Sequence, residues 1–401
     1  MNDSLPFQSE LSPPRSPLKS ASKGNLLLRL IRAAQPITRT DIASRLSIDK
    51  SKVTDNVAPL VANGILREET LEKDGSGRRP RVLSFANEND YFIGVNLGVR
   101  RSQVGITTLT GDIEDENDFE TPADAKTALR MARERIEKLY KANPERRLRV
   151  IGVSVPGMTD ALRRQLIFAP NLNWANINIA DALRINESVE VVVENDSAAA
   201  AMYEARLKLR DSADGSVSNF ILVRSGTGIG VGLVIGSEIY RGSGLGRGIA
   251  GEFGHMTIVA GGKPCVCGNR GCWEKYASAA SAASLYLGDR PPGRGESVPR
   301  FVEIVSKAEN GDNRSRRTLE KIGDYLGIGI ANVIMGVGIP RVIISGRLVY
   351  GWSFIKGPMN EAIERSIVGK IDGWSVEAGE PAGAAIGGAL EVAVEEYLNL
   401  I

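Results

Sequence analysis

Hydrophobic positions near the start of the chain recur at helical spacing and then alternate as in strands. Apolar residues within 26–34 predict a helix that Pro36 ends. A second helix is predicted over 39–46, with Thr38 as its N-cap. A third helix follows the short connection 47–49. The opening of the chain is therefore predicted to be a small, mainly helical unit.

The third predicted helix has the layout of the reading helix of a helix-turn-helix. Val53 and Val57 form its apolar face, and Pro59 is expected to bend its axis. The opposite face carries short polar and basic side chains that would contact bases and phosphates: Lys50, Ser51, Lys52, Thr54 and Asn56. A small helical bundle that binds protein instead of DNA would show the same helices.

Residues 65–85 predict two strands joined by a basic, glycine-rich turn. The turn carries Arg78, Arg79 and Arg81, which a winged motif would place beside a neighbouring DNA groove. Together, residues 23–86 are predicted to form a winged helix-turn-helix domain that binds operator DNA.

From Tyr91 onward, strand patterns alternate with helix patterns, which is typical of an α/β fold with two lobes and a cleft. The predicted strands are 92–97, 103–108, 150–155, 189–193, 220–223, 231–235 and 341–345, and the predicted helices are 126–141, 198–209, 277–287, 298–310 and 319–336. We expect a body over 90–401, with one lobe from 90–195 plus a C-terminal helix and the other from 196–380. The proline-rich residues 1–22 are predicted to be a disordered tail.

Charge and composition refine this picture. The chain is 42% hydrophobic and 24% charged, as in an ordinary soluble protein. Its net charge is only +2, but residues 23–86 hold 12 Lys/Arg against 7 Asp/Glu, so basic charge concentrates in the predicted DNA-binding domain. No apolar run reaches the roughly 20 residues that span a bilayer, and closely spaced cysteines fit a reducing compartment. The sequence therefore predicts a cytoplasmic protein that has no membrane partner.

The chain's only histidine and all three of its cysteines lie within eighteen positions. His255, Cys265, Cys267 and Cys272 supply the set of three thiols and one imidazole that a tetrahedral zinc site requires. Buried thiols and a hydrogen-bonded histidine of an ordinary core are the alternative. Because four protein ligands leave no open coordination position, the zinc is expected to be structural.

Two carboxylates flank the predicted ligands. Glu252 lies three residues before the first ligand and Glu274 two residues after the last. Folding around a metal ion would bring both near His255, in a polar pocket suited to the hydroxyl groups of a sugar; two solvated glutamates are the alternative. Glycine-bearing turns at 96–100, 225–230 and 345–347 could cradle a phosphate, although glycine also simply permits tight turns.

These motifs resemble the ROK family, which is named for repressors, open reading frames and kinases. The match runs from about residue 25 to the end, and its most specific part is Glu-x-Gly-His followed by Cys-x-Cys-Gly-x-x-Gly-Cys-x-Glu within residues 252–274. The resemblance implies an actin-like, two-lobed sugar kinase fold with zinc on the four ligands above. It also implies sugar contacts from Asn171, Asn195, Asp196, Glu252, His255 and Glu274. In the kinases of the family, the residue matching Asp196 is the general base for the attacking sugar hydroxyl.

The N-terminal unit is similar to that of the family's repressors, and the kinases generally lack it. Kinases carry Asp-x-Gly-Gly-Thr in the first phosphate turn, whereas this chain has Asn96-Leu-Gly-Val-Arg100, so binding of ATP and Mg²⁺ is not expected. The sequence predicts a sugar-responsive DNA-binding regulator that represses transcription as a homodimer or homotetramer. An ATP-dependent hexose or N-acetylhexosamine kinase with an appended DNA-binding unit is the alternative, and a DNA-binding protein that does not respond to sugar is a third.

Overall fold

A computed structural model of the protein describes residues 23–71, 80–211, 218–243, 248–381 and 383–401. The predicted tail, residues 1–22, and the predicted DNA contacts Arg78 and Arg79 lie outside the described residues. Within the described ranges, none of the helices combines the length and the apolar character that crossing a membrane requires.

Three helices and a small sheet form the N-terminal unit. The helices are α1 (Lys23–Ala34), α2 (Arg39–Leu46) and α3 (Lys50–Ala62). The strands are β1 (Ile37–Thr38), β2 (Leu66–Thr70) and β3 (Arg81–Phe85), which pair antiparallel in the order β1-β3-β2. The three predicted helices and the two predicted strands are confirmed, and β1 is an addition that the sequence pattern did not reveal.

A cap at the start of α2 and a proline inside α3 are two local features of these helices. Thr38 Oγ1 accepts a hydrogen bond from the backbone N–H of Asp41 at 3.1 Å, which confirms the predicted N-cap of α2. Pro59 does not end α3, because the helix continues to Ala62 and the backbone N–H of Asn63 donates to the Pro59 carbonyl at 2.9 Å. The reading face predicted for α3 is therefore part of one helix.

The first sheet of the body contains five strands. They are β4 (Asp90–Leu97), β5 (Arg101–Thr107), β6 (Ile113–Glu120), β7 (Arg147–Val155) and β11 (Glu190–Asn195), in the order β11-β7-β4-β5-β6. Helices α4 (Ala125–Ala142) and α5 (Ile179–Leu183) pack on this sheet. A small antiparallel sheet lies between β7 and α5 in the chain and consists of β8 (Met158–Thr159), β9 (Gln165–Ala169) and β10 (Trp174–Asn178).

The second sheet also contains five strands. They are β12 (Phe220–Ser225), β13 (Ile229–Ile235), β14 (Glu238–Ile239), β15 (Arg341–Gly346) and β16 (Ser375–Ala378), in the order β14-β13-β12-β15-β16. The remaining helices are α6 (Asp196–Asp211), α7 (Glu274–Ala277), α8 (Ser281–Tyr286), α9 (Phe301–Glu309), α10 (Asn313–Val337), α11 (Trp352–Glu364) and α12 (Ala384–Leu400). A 3₁₀ segment, Glu252–His255, precedes the cysteine-bearing loop.

The seven predicted body strands are present, but the single helix predicted over 277–287 is wrong. Helices α7 and α8 replace it, with a break between them. The backbone N–H of Ala279 donates to Ser225 Oγ at 3.0 Å, and that of Ala280 donates to the Gly226 carbonyl at 3.2 Å. These bonds tie the break to the turn after β12, so a tertiary contact overrides the helical pattern. Helix α11 was not predicted.

Helix α6 connects the two sheets and places its first residue between them. It begins directly after β11 and packs on β13 and on α12. Helix α12 lies so close to the first sheet that Gly94 and Gly152 leave no room for a Cβ atom. This arrangement brings Asp196, the first residue of α6, to the cleft between the two sheets.

The N-terminal unit lies on α6 and α12 and is attached to them by ion pairs. Arg29 Nη2 of α1 is 2.6 Å from Glu395 Oε2 of α12. Arg32 of α1 forms a pair with Glu391 of α12, and both side chains are at least 97% buried. Glu391 Oε1 also lies 2.8 Å from Nε of Arg206, on α6. One carboxylate therefore joins a helix of the N-terminal unit to two helices of the body.

Candidate metal centre and polar cleft

Four side chains converge in the loop that contains the cysteines. The ligand atoms of His255, Cys265, Cys267 and Cys272 all lie within 4.8 Å of one another. His255 Nδ1 is 3.5 Å from Cys265 Sγ, and the sulfurs of Cys267 and Cys272 are 3.7 Å apart. These four residues could hold a metal ion between them.

Backbone geometry explains why the loop closes on itself. Gly268 and Gly271 have φ values of +91° and +76°, which side-chain-bearing residues rarely adopt. The backbone N–H of Cys265 donates to the Asn269 carbonyl at 2.9 Å, and that of Trp273 donates to the Met256 carbonyl at 2.8 Å. The glycines thus turn the chain, and the hydrogen bonds fix the positions from which the cysteines project.

A bound cation would change the electrostatics of this loop. Burial raises the pKa of the Cys265 thiol, and it also raises the pKa of the Cys272 thiol. Glu274 Oε1 lies 3.2 Å from Cys265 Sγ and 3.8 Å from His255 Nδ1. Because metal ions bind cysteine as the thiolate, a bound cation would offset both the burial and the neighbouring carboxylate.

All six residues predicted to contact sugar line one polar cleft between the two sheets. Asn171 lies in the turn between β9 and β10, Asn195 ends β11, and Asp196 begins α6. Glu252 and His255 bound a 3₁₀ segment, and Glu274 begins α7. The structure therefore collects carboxylates, amides and an imidazole from four separate segments of the chain.

The amide of Asn195 also has a structural role. Its Nδ2 donates to the Gly157 carbonyl at 2.9 Å, and its Oδ1 accepts from the backbone N–H groups of Ser197 at 2.8 Å and Ala198 at 3.2 Å. Asn195 thus satisfies the otherwise unpaired donors at the start of α6. It also fixes the orientation of Asp196, its neighbour in the cleft.

The carboxyl group of Glu252 has a raised pKa. Burial raises its pKa to about 7, and the negative charges of Asp196 and Glu274 contribute. Its Oε2 is 3.8 Å from Nε2 of His255, whose Nδ1 faces the thiols. The imidazole therefore presents one nitrogen to the cysteine thiols and the other toward the cleft.

Arg224 is a cleft residue that sequence reasoning missed. It belongs to β12 and faces α6, as Leu222 does, because alternate residues of a strand share a face. Its Nη1 lies 2.6 Å from Asp196 Oδ2. A signal was available, since Arg224 directly follows the apolar run 220–223, and a charge in a central strand requires a partner.

The glycine-bearing turns differ in their relation to this cleft. The turn 225–230 contributes Gly226, Thr227 and Gly228 to the lining. The turn 96–100 is not part of the lining, and the buried Asn96 amide is engaged elsewhere: it donates to Gln103 at 3.0 Å and accepts from Ser154 Oγ at 3.1 Å. The turn 345–347 is likewise absent from the lining.

The residues predicted to contact DNA on α3 form an exposed surface, while Val53 and Val57 of the same helix are buried. That surface comprises Lys50, Ser51, Lys52, Thr54 and Asn56. Arg81 is also exposed, with its Nη2 3.0 Å from Glu68 Oε2. The described part of the predicted DNA-binding set is thus accessible to a partner.

Comparison with known proteins now identifies the family. A model described as the ROK family matches residues 92–395. The chain belongs to the ROK family. The two five-stranded sheets form the ROK fold with its actin-like lobes, as the sequence predicted.

Among relatives in the ROK family, the chain is similar to the xylose repressor of Bacillus subtilis (strain 168), with 29% identity over 94% of this chain and 96% of the relative. It superposes on a ROK transcriptional regulator described as a homolog of the E. coli MLC protein, with a TM-score of 0.74, 23% identity and coverage of 94% and 96%. A ROK glucokinase from Streptomyces griseus, solved with glucose and AMPPNP, has a TM-score of 0.62 and 26% identity. The match covers 99% of that kinase but only 76% of this chain.

Proposed function

We propose that this protein is a sugar-responsive transcriptional repressor. In this proposal residues 23–86 form a winged helix-turn-helix domain that binds operator DNA, and the two lobes within 90–401 bind the sugar. The main observation behind this proposal is that one chain combines an exposed polar helix face with a polar cleft. The face belongs to α3 of the N-terminal unit, and ion pairs attach that unit to the body that contains the cleft. The extent of the match to the xylose repressor, compared with that to the glucokinase, supports it.

The proposed DNA-binding surface is formed by α2, α3 and the β2–β3 hairpin. Helix α3 would lie in the major groove with Lys50, Ser51, Lys52, Thr54 and Asn56 toward the bases and phosphates. Arg81, together with Arg78 and Arg79 in the connection between the strands, would contact the neighbouring backbone. A homodimer or homotetramer would present two such units to a palindromic operator in the cytoplasm.

The sugar part rests on the chemistry of the cleft. Carboxylate oxygens of Asp196, Glu252 and Glu274 are acceptors for sugar hydroxyls, and the amide of Asn171 is both donor and acceptor. If Nδ1 of His255 binds the metal ion, Nε2 carries the proton and becomes a donor toward the cleft. A neutral polyol matches such a mixture of acceptors and donors.

We assign zinc to the cysteine cluster as a structural ion. A tetrahedral zinc ion with Zn–S of about 2.3 Å and Zn–N of about 2.0 Å requires S···S near 3.8 Å and N···S near 3.5 Å. The distances of 3.7 Å between Cys267 and Cys272 and 3.5 Å between His255 and Cys265 fit these edges. Zinc would hold His255 and the loop before Glu274 in place.

Helix α6 offers a physical connection from the cleft to the N-terminal unit. It begins with Asp196 in the cleft and carries Arg206 about 15 Å further along its axis. Arg206 shares Glu391 with Arg32 of α1. A sugar that favours one lobe arrangement would shift α6 relative to α12 and thereby change how the N-terminal unit is held.

Operator binding with and without sugar tests the proposal. DNA fragments selected by the protein from genomic DNA would be titrated by fluorescence anisotropy in the presence of glucose, xylose or N-acetylglucosamine. One sugar should weaken binding by roughly 5- to 150-fold, which is the usual range of coupling between sites. Lys52→Ala should weaken DNA binding but keep the sugar-induced rise in thermal stability, and Lys141→Ala on the exposed body surface should change neither. Identical binding with every sugar would refute the coupling.

A kinase remains the second candidate because Asp196 and the turn 225–230 lie together in the cleft. Two features argue against a kinase. The first phosphate turn has asparagine where kinases of the family carry aspartate, and the amide of Asn96 is hydrogen-bonded to Gln103 and Ser154. A coupled ATP assay over the same sugars separates the two functions. Sugar-dependent ATP turnover that Asp196→Asn abolishes would establish the kinase.

Replacing Arg224 by methionine is expected to weaken sugar binding roughly tenfold, because Asp196 loses a charged hydrogen bond and three carboxylates remain together. Isothermal titration calorimetry with the effector sugar measures the change. Arg270→Met, on the exposed surface of the cysteine loop, is the matched control and should bind like the wild type. Unchanged affinity in Arg224→Met would exclude a role for Arg224 in the cleft.

A further inference from the structure

A second cavity lies where the N-terminal unit meets the body. It has a volume of about 310 Å³ and is bounded by α1, α6, the β13–β14 region and α12. It shares no lining residue with the polar cleft. Its size falls at the lower end of the range for small-molecule sites, roughly 300–1,000 Å³. A compact metabolite would fit, whereas a chain-like ligand would not.

Five guanidinium groups line this cavity: Arg29, Arg32, Arg163, Arg206 and Arg241. Their ion-pair partners are four carboxylates, Glu194, Glu391, Glu395 and Glu396. Glu238 also lines the cavity, but it is exposed. These ion pairs thus comprise five positive and four negative groups, and burial raises the pKa of one of the four, Glu395.

Donor capacity remains after these ion pairs are counted. A guanidinium carries five N–H donors, and the buried Nε atoms of Arg29 and Arg32 have no acceptor among the described residues. These two Nε atoms are enclosed within the protein, but the residues that carry them line the cavity. Because both residues belong to α1, an acceptor in the cavity would contact the N-terminal unit directly.

Part of the wall is apolar, and Ser237 and Asn399 add polar groups to it. Met202, Ala205, Leu209, Val234 and Ile239 line the cavity beside the arginines. This surface would cover a short carbon skeleton while the arginines contact a charged end. Phosphate monoesters have this combination, and arginine forms paired hydrogen bonds to phosphate oxygens.

We propose that this cavity is a second effector site, which binds a small phosphorylated metabolite between the N-terminal unit and the body. The bound molecule contacts α1, α6 and α12 at once and favours the docked position of the N-terminal unit. Its effect on operator binding rests on the proposed repressor function, whereas binding itself does not.

Thermal unfolding of the full chain with glycerol 3-phosphate and with inorganic phosphate tests the site. Potassium chloride of the same ionic strength and free glycerol are the controls, because salt alone changes surface electrostatics. Glycerol 3-phosphate at about 100 times its Kd should raise the unfolding midpoint by several degrees more than chloride does. A midpoint equal to that in chloride, at millimolar ester, would overturn the proposal.

Two variants locate the effect. Ala205→Met fills the cavity without changing charge and should abolish the ester-dependent shift, and Arg241→Gln should weaken ester binding about tenfold. Arg210→Gln removes the same charge from the exposed end of α6 and should behave like the wild type. A shift that persists unchanged in Ala205→Met would place the ester elsewhere and refute the site. If sugar did not change operator affinity but the ester still raised the unfolding midpoint, the result would contradict the proposed repressor function and not the second site.

Discussion

Cys265→Ser is expected to leave the protein with little bound zinc and with a clearly lowered thermal unfolding midpoint. Cys265 is buried beside His255, and a serine hydroxyl does not supply the thiolate that zinc prefers. Structural zinc contributes up to about 10–16 kcal/mol of apparent binding free energy in small domains. Losing even ~3 kcal/mol of that would lower the midpoint of a unit of this size by about 4–5 °C.

The same substitution should abolish the sugar response, because the proposed zinc ion would hold the loop that positions His255 and Glu274. Metal content by mass spectrometry, thermal unfolding with and without a chelator, and sugar titration measure the three effects. Val266→Ser, an exposed position between two ligands, is the matched control and should retain zinc. A Cys265→Ser protein that responds normally to sugar without zinc would reject the structural role.

Glu391→Ala is the second substitution with a large expected effect. Glu391 is the shared partner of Arg32 and Arg206, and its removal leaves two largely buried guanidinium groups without a carboxylate. Breaking a buried ion pair in this way usually costs ~3–5 kcal/mol of the free energy of unfolding. Chemical denaturation of the variant should show a loss of this size. Glu134→Ala, which removes an exposed helical pair with Arg130, should change stability by only ~0.5 kcal/mol.

A triple variant separates stability from signalling. Replacing Arg32, Glu391 and Arg206 together by methionine, leucine and methionine removes the buried charges, so most of the lost stability should return. Sugar should then no longer change operator affinity, because the ion pairs through Glu391 that connect α1 to α6 are gone, although Arg29 and Glu395 still join α1 to α12. A triple variant that keeps its full sugar response would show that the signal travels by another route.

The metal loop could be predicted because its chemistry is local in the sequence. Three thiols and an imidazole within eighteen positions have few other uses, and the glycines between them permit the turn that closes the loop. The helices of the N-terminal unit were predictable for a similar reason, since the Thr38 cap and the apolar spacing act over a few residues. In each case the decisive contacts join near neighbours in the chain.

Other features depend on contacts that only the folded chain creates. The break between α7 and α8 follows from hydrogen bonds to Ser225 and Gly226, about fifty positions earlier in the chain. The pairing of Arg224 with Asp196 depends on how α6 packs against the second sheet. The triad around Glu391 joins Arg32 near one end of the described chain, Arg206 in its middle and Glu391 near its other end. No periodicity in the sequence indicates which charges will meet.

Helix α12 packs against the first sheet but is translated long after the strands of that sheet. Strands β4 and β7 leave the ribosome early, yet the surface around Gly94 and Gly152 stays uncovered until α12 has been translated. Glu391 and Glu395 belong to that same late helix, so α1 has no carboxylates to dock against while the chain is still growing. The N-terminal unit of a nascent polypeptide therefore cannot form these ion pairs with the body before α12 has been translated.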